Sequence, residues 1–349
     1  MRKVCIDTLW ELAAEEVRKA EDEEEQSLHQ RTVFFLGSKG GGKTTILLRC
    51  LDRDEPPKAT LALEYTFGRR ARGHNTLKDI AHLWELGGGD SLSDLVQIPV
   101  TPQSFSVVLV LDLSKPNFLW ATATKLLQIV RMLMDKACSS SQRTGIPLTF
   151  RKDHPDRELT DPLPVPLLII GSKYDLFQDF ESERRKIICK TLRFLAHYYG
   201  GSLIFTSNRS DTMMSKTRMF VNHLAFGTEG GKSLCTDPSK PLMVPAGMDS
   251  LSLIGSPSTM DVDIGTLHAR SALDLWKKVF EKIFPSENTS EHKELKDPAK
   301  DPQYSELVID SMRAQKDQLN LWTDFILHIL IIEGHSRVLQ FRPGTQVHF

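Results

Sequence analysis

Gly37-Ser38-Lys39-Gly40-Gly41-Gly42-Lys43-Thr44-Thr45 fits the phosphate-loop pattern G-x-x-x-x-G-K-[ST] without a mismatch. Thr32 to Leu36 before it reads as a buried strand, and Ile46 to Leu51 after it as the apolar start of a helix. That strand–loop–helix context is the one in which the pattern binds phosphate. Glycines at 37, 40, 41 and 42 let successive backbone N–H groups curl around an anion, and the helix N-terminus adds positive partial charge. Lys43 is placed to reach outer phosphates, and the Thr44 hydroxyl, followed by Thr45, to hold Mg²⁺. These residues are the candidate nucleotide site.

The chain has 349 residues, enough for one α/β domain with extensions. Apolar residues make up 40% and charged residues 26%, so a sizeable core is expected. A formal net charge of −1 argues against a general nucleic-acid binder. The five cysteines are scattered and never form a C-x-x-C pair, which suits reduced thiols in the cytosol. The eleven histidines show no H-E-x-x-H spacing, so no metal is expected beyond a nucleotide-bound Mg²⁺. Carboxylates at Asp7, Glu11, Glu15 and Glu16 interrupt any signal-like apolar run, and Phe325 to Ile332 is too short to span a bilayer. A soluble, intracellular protein without membrane insertion is expected.

Residues 4–20 read as a short amphipathic helix, and the acidic run Glu21 to Glu25 as a solvated linker, so 1–29 forms an N-terminal extension. A nucleotide-binding-like domain is expected over 30–227. Strands are predicted at Thr60 to Phe67, Ile80 to Leu86, Phe105 to Leu113, Val165 to Ile170 and Ser202 to Thr206. Helices are predicted at Leu119 to Lys136, Phe180 to Tyr199 and Met213 to Phe226. Gly68 to Asn75, with Arg69, Arg70, Arg72 and His74, reads as a basic turn at a hairpin tip. Ser139 to Pro164 reads as an irregular polar excursion. Beyond Gly227 the texture shifts to Gly, Ser, Pro and Asp, which marks 228–349 as a C-terminal extension. Within it Ser271 to Phe284 is an amphipathic helix stopped by Pro285, its apolar face suited equally to packing on the domain or to a partner.

Three further stations lie at predicted strand ends. His82-Leu83-Trp84-Glu85-Leu86-Gly87-Gly88-Gly89 falls where a Ras-like protein has W-D-x-x-G-Q, with Glu85 at the Mg²⁺-supporting acidic position. Gly89 replaces the glutamine that orients attacking water. Ser172-Lys173-Tyr174-Asp175 is close to N-K-x-D; the Asp175 carboxylate could accept from guanine N1–H and N2–H₂, with Lys173 beside it. Thr206-Ser207-Asn208 falls where a base-contacting turn belongs. Together they predict an α/β fold: a Ras-like P-loop NTPase domain with a mainly parallel, doubly wound sheet and N- and C-terminal extensions. GTP or GDP with Mg²⁺ is the expected cofactor.

The chain resembles the dynein light intermediate chain family, more closely its dynein-2 members. The resemblance is carried by Gly37 to Thr45, Leu51 to Lys58, Thr60 to Tyr65, Trp84 to Gly88, Val110 to Pro116 and Ile170 to Phe180. Leu275 to Val279 and Asp297 to Tyr304 extend it, so it runs from about residue 4 to about residue 318. Cys138 to Phe150 and the tail Leu319 to Phe349 depart from the family pattern and look like alternative exon usage or a gene-model feature.

The resemblance implies a non-motor subunit that docks on the dynein-2 heavy-chain tail beside the other dynein-2 subunits. It implies association with intraflagellar transport trains, with microtubules indirectly, and location in the cytoplasm, the cytoskeleton and the cilium with its axoneme, basal body and centrosome. The competing readings are an active GTPase switch and a P-loop kinase. Gly89 and the missing Asn at 172 favour a scaffold over a switch, and Ser172 to Asp175 disfavours a kinase.

Overall fold

In the computed structural model, the described residues are 30–71, 78–89, 91–92, 95–96, 105–140, 154–231, 233–257, 268–285, 307–316 and 318. The predicted segments at 4–20 and 21–25, most of 138–150, the turns near 297–302 and the tail 319–349 lie outside them.

Strand β1 (Gln30–Gly37) leads through the phosphate loop into α1 (Lys43–Cys50). β2 (Leu63–Arg70), β3 (Asp79–Leu86) and β4 (Phe105–Asp112) follow, then the long α2 (Pro116–Ser140). β5 (Leu167–Ser172), a one-turn α3 (Tyr174–Phe177), α4 (Ser182–Tyr198), β6 (Ser202–Phe205) and α5 (Asp211–Phe226) complete the alternation. β7 (Met243–Val244), α6 (Leu251–Ile254) and α7 (Ala272–Ile283) come last. The sheet order is β2-β3-β1-β4-β5-β6-β7. The five inner strands are parallel, and β2 and β7 close the two edges antiparallel.

The near-continuous apolar character of β4 and β5 has its cause here: every residue of both strands is buried, because helices cover both faces. Side-chain alternation divides the core into two layers. Phe34, Leu36, Leu109 and Leu111 face α2, α4 and α7. Val33, Phe35, Val108 and Val110 face α1 and α5.

Two expectations need correction. Arg69 and Arg70 are not turn residues: β2 runs on through them, pairing Arg69 with Ile80 and Arg70 with Asp79. An edge strand tolerates such charges because its outer side meets water. The change of texture after Gly227 does not end the compact unit, which extends to Ser286. Leu242 accepts from Phe205 N–H at 2.9 Å, and β7 pairs with β6. The apolar face of α7 packs on its own domain. Trp276 stacks on Phe194 with centroids 4.7 Å apart and planes 11° apart, and Phe280 meets Trp120. Such ring pairs add roughly 1 kcal/mol beyond area burial. Ser271 caps the helix by accepting from Asp274 N–H at 3.1 Å. The remainder, 287–349, clusters as a separate unit, of which 307–316 form an exposed helix.

A buried polar staple fastens the segment before α6 to α4. Arg193 on α4 donates twice to Asp249, at 2.8 and 2.7 Å. Asp156 accepts from Leu251 N–H at 2.7 Å and bonds His197 Nε2 at 2.9 Å. His154, Asp156 and His197 sit close enough to suggest a metal cluster. Hydrogen bonds already use both nitrogens of His154, which accepts from Asp156 N–H and meets the Asp249 carbonyl. These bonds tie 154–156 to α4 and to the segment leading into α6. No helix among the described residues is long and apolar enough to cross a membrane.

Breaking a buried ion pair from one side strands the other charge, so Asp249→Ala is expected to cost roughly 3 kcal/mol in urea unfolding. Lys186→Ala, in the exposed pair with Glu183, should change stability by no more than about 0.5 kcal/mol. Burial lowers the His197 pKa, outweighing the pull of Asp156. The folded state therefore binds its proton less readily than the unfolded chain. This contribution is complete above the ordinary histidine value and is lost as pH falls below it. Melting curves across that window should show the decline, and His197→Gln should flatten it.

Candidate nucleotide site

The phosphate loop begins where β1 touches β4. Gly37 has φ 133°, and a Cβ there would lie 1.9 Å from the Val110 carbonyl oxygen, so no larger residue fits. Ser38 N–H donates to that same carbonyl at 2.9 Å. Lys39 and Gly40 form the turn, and Gly41 N–H returns to Ser38 O at 3.0 Å. Gly42, at φ 88°, is the N-cap of α1; an added Cβ would touch nothing, so the need for glycine there is conformational.

Lys43 is buried, and its ammonium donates to the carbonyls of Gly37 at 3.2 Å and Ser38 at 3.0 Å. Burial lowers its pKa, with Glu85 pulling the other way. The Thr44 hydroxyl donates to Glu85 Oε1 at 2.8 Å and lies 3.4 Å from the Thr60 hydroxyl. Burial raises the Glu85 pKa against the opposing Thr44 bond and Lys43 charge. Thr45 takes the next, half-buried position on α1. A cleft of about 240 Å³ opens beside Thr44 and Glu85, bordered by Arg53, Lys58, Glu64 and Tyr65.

The loop after β3 approaches the phosphate loop. Gly88 and Gly89 have φ 69° and 72°, and a Cβ on Gly89 would lie 3.2 Å from the Lys39 nitrogen. A glutamine at 89 would therefore require both a strained backbone and a shift of Lys39.

At the ends of β4, β5 and β6 the other stations meet. Lys173, itself left-handed at φ 58°, donates to Asp112 Oδ2 at 2.6 Å. Asp112 Oδ1 accepts from the N–H and hydroxyl of Ser114, and its own N–H reaches Ser38 Oγ at 3.4 Å. The Ser172 hydroxyl donates to the Leu111 carbonyl at 3.1 Å. Asp175 accepts from Ser207 Oγ at 2.6 Å. The fold thus brings Gly37 to Thr45 together with Glu85 at one end, and Lys173 with Asp175 at the other. Sequence reading missed Thr60, Asp112 and Arg209. Asp112 closes the strongest strand in the chain, a visible signal; Thr60 and Arg209 carry no pattern.

The residues at the phosphate end fit a nucleotide with Mg²⁺. The loop is open toward Gly40 and Gly42, Lys43 could exchange two carbonyls for phosphate oxygens, and Thr44 with Glu85 forms a hard-oxygen pair suited to a divalent cation. When bound, the cation would neutralise phosphate charge; the chain's own part is to bind and orient.

A phosphate loop after β1 and an acidic residue on β3, on a doubly wound sheet, define a P-loop NTPase-like α/β protein. No family model matches the sequence. Cytoplasmic dynein 2 light intermediate chain 1 of Danio rerio is 66% identical over 338 residues, covering 91% of this chain and 94% of that protein. Its Bos taurus and Homo sapiens counterparts are 58% and 57% identical, each covering 89% of this chain and 93% of its own. Among solved structures, the conserved domain of a dynein light intermediate chain overlaps 72% of this chain and 97% of its own. Its identity is 17% and its TM-score 0.49. The chain belongs to the dynein-2 light intermediate chain family.

With no nucleotide added, Lys43→Met should change the melting temperature only modestly, because relief of a buried ammonium is set against the loss of its bonds to the Gly37 and Ser38 carbonyls and of its charge beside Glu85. Gly37→Ala should lower it sharply, by more than about 2 kcal/mol of stability, since the new methyl meets backbone. A Lys43→Met variant as damaged as Gly37→Ala would contradict this account.

Proposed function

We propose that this chain is a non-motor accessory subunit of the cytoplasmic dynein-2 complex. It associates with the dynein heavy chain and stabilises it for retrograde intraflagellar transport, cilium assembly and control of cilium length. The observation that carries this reading is 66% identity over nearly the whole length of a dynein-2 light intermediate chain. Microtubules and transport trains are reached through the complex, at the cytoskeleton and in the cilium.

The nucleotide site acts as a structural socket on this reading. Lys43, Thr44 and Glu85 support binding of a nucleotide with Mg²⁺. Gly89 offers no group to position water, so hydrolysis should be slow, about 10⁻³ s⁻¹ or less. Bound nucleotide would stabilise the native state by mass action. The second reading, an active GTPase switch, draws on the same Thr44–Glu85 pair.

Pull-down from ciliated cells should recover the dynein-2 heavy chain in stable stoichiometry, with Lys43→Ala retaining it at normal protein level. Recovery of soluble metabolic enzymes alone would sink the subunit reading. GTP turnover like that of an activated GTPase, with transport lost in Lys43→Ala, would favour the switch.

A further inference from the structure

The base end of the site is satisfied by the chain itself. Asp175 Oδ1 accepts from the Ser207 hydroxyl at 2.6 Å, and Oδ2 faces Arg209 Nε at 3.3 Å. Arg209 N–H in turn donates to Ser207 Oγ at 3.1 Å, closing a small ring of contacts. Ser172 spends its hydroxyl proton on the Leu111 carbonyl, and Lys173 is held by Asp112.

Arg209 meets Asp175 through Nε alone, a single charge contact at the carboxylate's outer oxygen. The guanine edge, with N1–H and N2–H₂, presents two donors in a planar fork to the same carboxylate. Adenine presents an acceptor at N1 beside its amino group and repels a bare carboxylate there. Ser207 can coexist with guanine, because each carboxylate oxygen has two lone-pair sites. The Arg209 guanidinium lies beside the outer oxygen, and its positive charge partly offsets the carboxylate there. While it stays, the reward for guanine and the repulsion of adenine are both reduced.

Resting on the reading that the phosphate loop binds a nucleotide, we propose that Arg209 is a specificity-determining residue. It takes part of the place of the guanine edge on Asp175, so the site prefers guanine less strongly than the bare carboxylate would. Arg209 is 79% exposed, so the pair is weak and readily exchanged, and its effect is modest in size.

The test is calorimetric titration of the full chain with Mg²⁺–GDP and Mg²⁺–ADP. The two dissociation constants should agree within about tenfold. Arg209→Ala should tighten GDP about three- to fivefold and leave ADP unchanged. Arg209→Gln should do the same, and thermal unfolding without nucleotide checks that both variants fold. Combining Arg209→Ala with Asp175→Ala should abolish the gain. A GDP preference above about tenfold in the unaltered chain, unchanged GDP affinity in both Arg209 variants, or a gain that survives loss of Asp175 would each overturn the inference. Binding of neither nucleotide by a chain that unfolds cooperatively would overturn the nucleotide reading itself, whereas binding of both that Lys43→Met weakens would leave that reading standing and test Arg209 alone.

Discussion

The contact of Gly37 with the Val110 carbonyl sets the geometry on which the site depends. It brings the backbones of β1 and β4 together with no side chain between them, and the same carbonyl receives Ser38 N–H. These two strands are where the sheet order turns: β3 and β2 lie to one side of β1, and β4 to β7 to the other. A crevice opens at such a point, outside the carboxyl ends of the strands. Glu85, Asp112, Ser172 and Thr206 all sit at or just beyond those ends. The site is thus a property of the sheet, with side chains supplied by its strand ends.

Charge is handled in two ways in this molecule. Arg193 and Asp249 neutralise one another through paired hydrogen bonds, and their burial is self-sufficient. Lys43 and Glu85 are both buried, but burial still pushes each toward its neutral form. A phosphate brought to Lys43 and a cation brought to Glu85 would each relieve that penalty. The first pair fits a fastening, the second a place that favours a charged visitor.

Much of this was legible because apolar runs and glycine patterns are local. β4, β5 and the phosphate loop could be read directly, as could α7 as an element. What lies against α7 could not: amphipathicity names a face and leaves its occupant open, and here Phe194 and Trp120 fill that role. β7 was missed because two residues carry no periodicity. Arg69 and Arg70 read as a turn because they are charged, although an edge strand accepts charge on its wet side. The Lys173–Asp112 pair joins residues 61 apart in sequence and exists only once β4 and β5 are side by side.

The placement of α7 bears on synthesis. Chains fold as they emerge from the ribosome, N-terminal parts first. Here the alternating strands and helices are all out by Phe226, yet the layer over Phe194 and Trp120 is missing until Trp276 and Phe280 arrive some fifty residues later. For that interval the nascent domain carries an aromatic surface and, until Met243 and Val244 arrive, an open β6 edge, a combination that invites mispairing and holdase chaperones. A message cut short near Gly227 would make the interval permanent, even though every residue of the phosphate loop had been translated.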